Sequence, residues 1–177
     1  MVAYNLCWII SILGKNRLKN FLNIGVCWYG VAKPQEMLHD GIKYVIMLAF
    51  GKCQSKDFRK NISEFKRKEV CEIWEGDSFL DIAKVVRIAP SACNLQPRRI
   101  ICDRNVIKVY RYLNTNSFPA QKLAYYKKTD FSLIDMGICI CYLEISLLYN
   151  GYGYERRLHQ ENNSHEELME VARYHIT

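Results

Sequence analysis

The sequence predicts an α+β layer fold. Two helices with clear apolar stripes, Ser78–Ala89 and Ser132–Tyr149, stand among a few apolar runs that read as strands. The chain has 177 residues, 50% hydrophobic and 24% charged, which suits one domain with a core of its own.

Ala3–Leu13 is apolar nearly all round and belongs in a core or at an interface. Lys15–Asn20 is polar and basic, a turn. Leu22–Tyr29 carries Gly25, with Gly30 close behind, and reads as a close-packed turn and helix entry. Lys33-Pro34-Gln35-Glu36 starts a short helix with proline in its first turn, and Asp40-Gly41 ends it. Tyr44–Phe50 is apolar throughout and predicts a central strand covered on both faces, closed by Gly51. Lys52–Lys68 is rich in Lys and Arg and reads as a solvated connection.

In Ser78–Ala89, Phe79, Ile82, Ala83, Val86 and Ala89 fall on one helical face. Ser78 with Asp81 forms the expected N-cap pair, and Pro90 ends the helix. Arg99–Cys102 and Val106–Tyr110 read as strands joined across Asp103-Arg104-Asn105. In the second helix, Ile134, Ile138, Cys141, Ile145 and Leu148 repeat at steps of four and three. Ser132 caps it with Asp135 at the third position, and Asn150-Gly151 stops it. Residues 1–154 then form a single domain and 155–177 a polar C-terminal tail that frays. Strands are few, so a partner chain is expected to fill the remaining sheet positions.

The net charge of +7 and pI near 9.0 attract anions: nucleic acid, acidic membrane or a phosphorylated cofactor. Phe58, Phe65 and Trp74 among the basic residues invite a nucleic-acid reading. Glu64, Glu69, Glu72, Glu75 and Asp77 interrupt the positive run, and no nucleic-acid partner is expected. Eight cysteines include Cys139 and Cys141, two apart on a helix and so not facing each other. They read as reduced, mostly buried thiols of a cytoplasmic protein. His39, His159, His165 and His175 make no metal-binding spacing. The short Leu6–Leu13 run does not reach a membrane span, and no signal peptide is visible.

The site candidate is Ala89-Pro90-Ser91-Ala92-Cys93-Asn94-Leu95-Gln96-Pro97, between a helix and a strand. It supplies a hydroxyl, two carboxamides and backbone N–H groups between two prolines. A flavin ring edge carries the same mixture of donors and acceptors, and turn residues have the same composition.

This segment resembles APSAxNxQPW of the nitroreductase family, the FMN-dependent reductases that use NAD(P)H. Gly25–Gly30 resembles the GIGTCWLGG turn of one branch, in which a single chain mimics the usual dimer. Tyr44–Gly51 resembles the strand that follows it. Arg67-Lys68 through Ile73 resembles the RKPLSEI linker, and Leu133–Glu144 the IDxGIAxxHxE helix. In family order these cover Gly25 to Tyr154. The resemblance implies a mixed or antiparallel sheet covered by helices, FMN as cofactor, and electron transfer from NAD(P)H to a nitroaromatic, quinone or similar acceptor. It implies cofactor contacts from Pro90, Ser91, Asn94 and Gln96, with Gly25 and Gly30 allowing close approach, and no catalytic acid or base.

The chain departs from the family pattern in three places. It carries no Arg-rich RRSxRxF segment for the flavin phosphate, so the expectation is a fold incomplete at its N-terminus. Arg98 stands in place of the family Trp, and Tyr142 in place of His. Lys15, Arg17 and Lys19, or Arg98-Arg99, are candidates to replace the phosphate clamp by charge only. The alternative is a non-catalytic remnant, a structural or ligand-binding domain. A chain that begins inside the pattern would expose Ala3–Leu13, and a homodimer follows.

Overall fold

The computed structural model describes residues 24–29, 47–52, 61–64, 66–112, 131–159 and 167–177. Residues 10–64 form one compact unit, and the described residues from 66 onward belong to another. The expectations for Ala3–Leu13, Lys15–Asn20, the helix at Pro34 and Gly30 fall outside the described residues.

In the first unit, β1 (Ile24–Tyr29) pairs antiparallel with β2 (Met47–Lys52). The segment read as a turn and helix entry is therefore a strand. Its branched and aromatic residues suit a pleated surface, and Gly25 sits opposite Gly51 on the neighbouring strand. The described part of the strand expected at Tyr44–Phe50 is in β2, which runs on to Lys52, so Gly51 lies within it instead of closing it; residues 44–46 fall outside the described residues. A 3-10 turn follows at Ile62–Glu64.

The described residues of the second unit form a five-stranded mixed sheet and three helices in an α+β layer arrangement. α1 (Val70–Ile73) runs into the two-residue β3 (Trp74–Glu75), and α2 (Leu80–Arg87) follows. β4 (Arg98–Asp103) and β5 (Val106–Tyr112) form the expected hairpin. α3 (Phe131–Tyr149) precedes β6 (Tyr154–Leu158) and β7 (Leu168–Ile176). The order across the sheet is β3-β4-β5-β7-β6, with β3 parallel to β4 and the other pairs antiparallel.

Strand alternation places Ile100, Cys102, Ile107, Val109, Ala172, Tyr174 and Ile176 on the buried face. Against it lie Ile82, Ala83 and Val86 of α2 and Met136, Cys139, Ile140, Leu143 and Leu147 of α3. The stretch Ser132–Tyr149 is long and apolar enough to cross a membrane by length and composition alone. In this fold its apolar residues cover the sheet, and its Asp135 and Glu144 are buried.

The described residues of the expected tail, 155–159 and 167–177, are not a fraying tail. They supply β6 and β7, and β7 lies between β5 and β6. In this sheet the β4–β5 hairpin is extended by the C-terminal strands. What hides these strands in the sequence is their outer side. β6 is exposed from Glu155 to Leu158, and in β7 the buried Ala172, Tyr174 and Ile176 alternate with Arg173 and His175. An irregularity in pairing at Val109/Tyr110 leaves Val171 as the extra residue of β7.

A buried polar knot fixes this hairpin to α3. Glu144, 1% exposed, accepts from Tyr174 Oη at 2.8 Å and from Arg156 Nη1 at 2.8 Å. The Tyr154 ring meets Tyr174 edge-on at 5.4 Å. Burial first, then the Glu144 charge, pushes the Tyr154 phenol up to about 12, and the same causes raise Tyr174.

Two caps differ from expectation. α2 starts from Phe79 in the left-handed region, with φ 59°, and no side chain caps it. Asp81 instead pairs with Lys84 on the surface at 2.9 Å. Ser132 lies inside α3, where its Oγ accepts from Arg111 Nη1 at 2.9 Å.

Candidate functional site

The loop between α2 and β4 carries the sequence candidates, and the fold holds it at three places. Its entry is held by Arg98, the first residue of β4 and 1% exposed. Arg98 Nη2 donates to the carbonyls of Arg87 at 2.8 Å and Ala89 at 3.0 Å, satisfying acceptors at the end of α2. Its Nε and Nη1 are buried without a hydrogen-bond partner. The buried Asp135 of α3 then accepts from Ala92 N at 2.8 Å, across a sequence separation of 43. Asp135 was expected to cap its own helix, yet it anchors the loop instead. Beside them, burial pushes the Cys139 thiol up to about 11, although the Arg98 charge acts to lower it.

The third place is the segment Lys66–Lys68. Asn94 Nδ2 donates to Lys66 O at 2.7 Å, and Arg67 Nη1 donates to Asn94 Oδ1. Lys68 N donates to Gln96 Oε1 at 2.9 Å. Within the loop, Gln96 N donates to Ser91 Oγ at 2.8 Å and Gln96 Nε2 to Asn94 O at 3.3 Å. The backbone makes a 3-10 turn at Ala92–Asn94, with Asn94 N donating to Ser91 O at 3.1 Å. Asn94 and Gln96 both adopt the left-handed region, with φ of 58° and 51°. Non-glycine residues hold that conformation only where surrounding bonds enforce it, and asparagine tolerates it best.

Pro90, Ser91, Asn94 and Gln96 are thus brought together on one loop. Pro90 and Ser91 are half-buried, Asn94 is exposed and Gln96 is 4% exposed. Gly25 is placed in β1, opposite Gly51. Sequence reading missed the part played by residues 66–68, which it took as a solvated connection. It also missed the loop contact of Asp135. No local spacing signals bonds between segments so far apart in the chain.

Of the cations named as phosphate partners by charge, the two described ones, Arg98 and Arg99, are engaged elsewhere. Arg98 is committed to the end of α2. Arg99 donates to Glu72 O at 3.0 Å and pairs with Glu75 at 2.8 Å. Lys15, Arg17 and Lys19 lie outside the described residues. Lys66, Arg67 and Lys68 stand beside the loop, and Lys68 Nζ lies 5.7 Å from the centre of the Tyr112 ring. The acidic neighbour of the triplet, Glu69, is paired with Arg87 at 3.0 Å.

Among the described residues there is no cluster of three metal-ligating side chains. Of the described cysteines, Cys71, Cys102, Cys139 and Cys141 form no disulfide, and all but Cys71 are buried. Burial pushes the Cys102 thiol up to about 12, so neither it nor Cys139 is set up as a nucleophile.

Residues 18–147 match the family model described as "Putative TM nitroreductase". The fold is similar to the crystal structure of a protein from Thermotoga maritima MSB8 titled a putative nitroreductase. The TM-score is 0.56 and the identity 16%, over 97% of this chain and 62% of that one. At that identity the likeness is one of fold, and this chain spans less than two thirds of the other's length. A search of curated proteins finds no match.

Proposed function

The chain belongs to the TM nitroreductase family over most of its length, and from that premise we propose that it is an FMN-dependent oxidoreductase. It would pass electrons from NAD(P)H to a nitroaromatic, quinone or similar acceptor. The observation that carries this reading is the loop Pro90–Gln96. It keeps the family's residue types in a turn where Pro90 and Ser91 are half-buried and Asn94 is exposed, and it is anchored by Arg98 and Asp135.

The groups present fit a flavin edge. Ser91 Oγ accepts from Gln96 N and keeps its own O–H to donate. The loop backbone adds further donors and acceptors, and the Lys66–Lys68 cations place positive charge beside it for an anionic cofactor. FMN, when bound, supplies the hydride and electron chemistry. The protein's share is to orient the ring and fix its hydrogen bonds, and that share asks for no catalytic acid or base. Gly25, facing Gly51 across β1 and β2, leaves a rung without side chains where a ring or neighbouring layer can come close. Gly30 takes the same part in this reading. The protein is taken as a cytoplasmic homodimer.

One observation favours a second reading, a non-catalytic ligand-binding or structural domain. The Asn94 and Gln96 carboxamides are bonded to residues 66–68. Turnover separates the two. Purified protein incubated with FMN and then with NADH or NADPH and a quinone should oxidise the nicotinamide above the rate of free FMN. No increase over free FMN would leave the second reading standing and the first refuted.

A further inference from the structure

A carboxamide that contacts a ligand needs donors or acceptors left over. Gln96 has few: its Oε1 accepts from Lys68 N, its Nε2 donates to Asn94 O, and the side chain is 4% exposed. Asn94, exposed, is oriented by one bond from each end of its carboxamide, Nδ2 to Lys66 O and Oδ1 from Arg67. The segment they grip is held on its other side by α2. Arg87 Nε donates to Lys68 O at 2.7 Å, and Arg67 Nε donates to Ile88 O at 3.4 Å. The result is a closed frame of α2, the loop and residues 66–68, with two left-handed residues at its corners.

We propose that Asn94 and Gln96 are positioning residues. Their carboxamides bind Lys66–Lys68 and through that segment set the shape of the loop, while the ligand is met by the loop backbone and Ser91. This rests on the flavin reading above. It gives Asn94 and Gln96 a different part from the direct ring contact that family resemblance implies.

Amide hydrogen exchange and FMN titration on four variants test it. Asn94→Ala and Gln96→Ala should each speed exchange at the Lys68 amide by at least about tenfold, with β4 and β5 amides unchanged as the control for folding. Gln96→Glu keeps an acceptor for Lys68 N and should restore the protection. Asn94→Asp keeps an acceptor for Arg67 and adds a negative charge, which a flavin in contact would register. Asn94→Asp and Asn94→Ala both lose the donor to Lys66 O, so FMN affinity for Asn94→Asp should fall no further than for Asn94→Ala, with an unshifted flavin spectrum. A further loss of about tenfold or more in Asn94→Asp, or a shifted spectrum, would overturn the proposal, because Asn94 would then touch the flavin. If the parent protein binds no FMN, the flavin reading fails and exchange decides alone. A protected Lys68 amide released by Gln96→Ala upholds the positioning role, and fast exchange in the parent overturns it. If the alanine variants do not fold, the Asp and Glu variants decide by the same two readouts.

Discussion

Glu144→Ala removes the acceptor at the centre of the polar knot between α3 and the C-terminal strands. Tyr174 is fully buried, and its hydroxyl loses a 2.8 Å bond to a carboxylate. An orphaned buried hydroxyl costs about 1–3 kcal/mol. Arg156 loses its 2.8 Å pair, but its side chain is 32% exposed and water takes over much of that bond. A pair so placed contributes about 1 kcal/mol or less. The expected loss is therefore about 1–4 kcal/mol, a large share of the stability of a domain this size. With a urea slope of about 2 kcal/mol per molar, the unfolding midpoint should fall by roughly 0.5–2 M. Tyr174→Phe removes one bond and leaves Glu144 its contact with Arg156, so its cost is smaller, about 1.5 kcal/mol. Combining Tyr174→Phe with Glu144→Leu should cost less than the sum of the two single changes, since neither partner is then left unpaired. A Glu144→Ala midpoint within about 0.3 M of the parent would refute the account of how β6 and β7 are held.

Three further outcomes are expected. Gly76 has φ +103°, and a Cβ there would lie 2.5 Å from Cys102 O. Gly76→Ala should therefore cost at least about 2 kcal/mol, against about 1 kcal/mol for Gly151→Ala, whose added Cβ meets nothing. Equal urea midpoints for the two variants would contradict this. Asp135→Ala orphans the buried Ala92 N–H at a cost of about 1–3 kcal/mol, whereas Asp135→Asn keeps an acceptor and should cost less. Equal losses in the two would mean that the bond to Ala92 N is not what matters. Stability should also fall in alkali. Tyr154, Tyr174, Cys102 and Cys139 all hold their protons more tightly folded than unfolded, so the unfolded chain loses protons first as pH rises. Their contribution is whole below the unfolded thiol and phenol values, 9.0 and 10.0, and is lost as pH climbs through about 11 to 12. Urea midpoints that stay level from pH 8 to 11 would count against it.

The hairpin β4–β5 and the helices α2 and α3 were legible because one face of each is apolar at the right period. Ile82, Ala83 and Val86 are buried as their spacing predicts, and Ile107 and Val109 alternate inward. The C-terminal strands were not legible because β6 is an edge strand with charged residues along it. Such residues suit an edge that must not pair further, and they look like a solvated tail in sequence. The cap of α2 was misread because Ser78 and Asp81 have the right spacing, yet Phe79 turns left-handed between them. It packs edge-on against Tyr152, with ring centres 5.2 Å apart, so a tertiary contact overrides the local signal. At the site, the loop's residue types were readable and their partners were not. Asp135 to Ala92 and Gln96 to Lys68 are contacts between distant segments, and only the fold brings them together.

The central claim is that the Pro90–Gln96 loop serves a flavin, and FMN titration tests it most directly. Protein is added to FMN while flavin fluorescence and the visible spectrum are followed. The account predicts saturable binding with a Kd in the micromolar range or tighter, about −8 kcal/mol or better. No change in either signal up to roughly a millimolar would contradict it and leave this chain a folded domain without the flavin function proposed here.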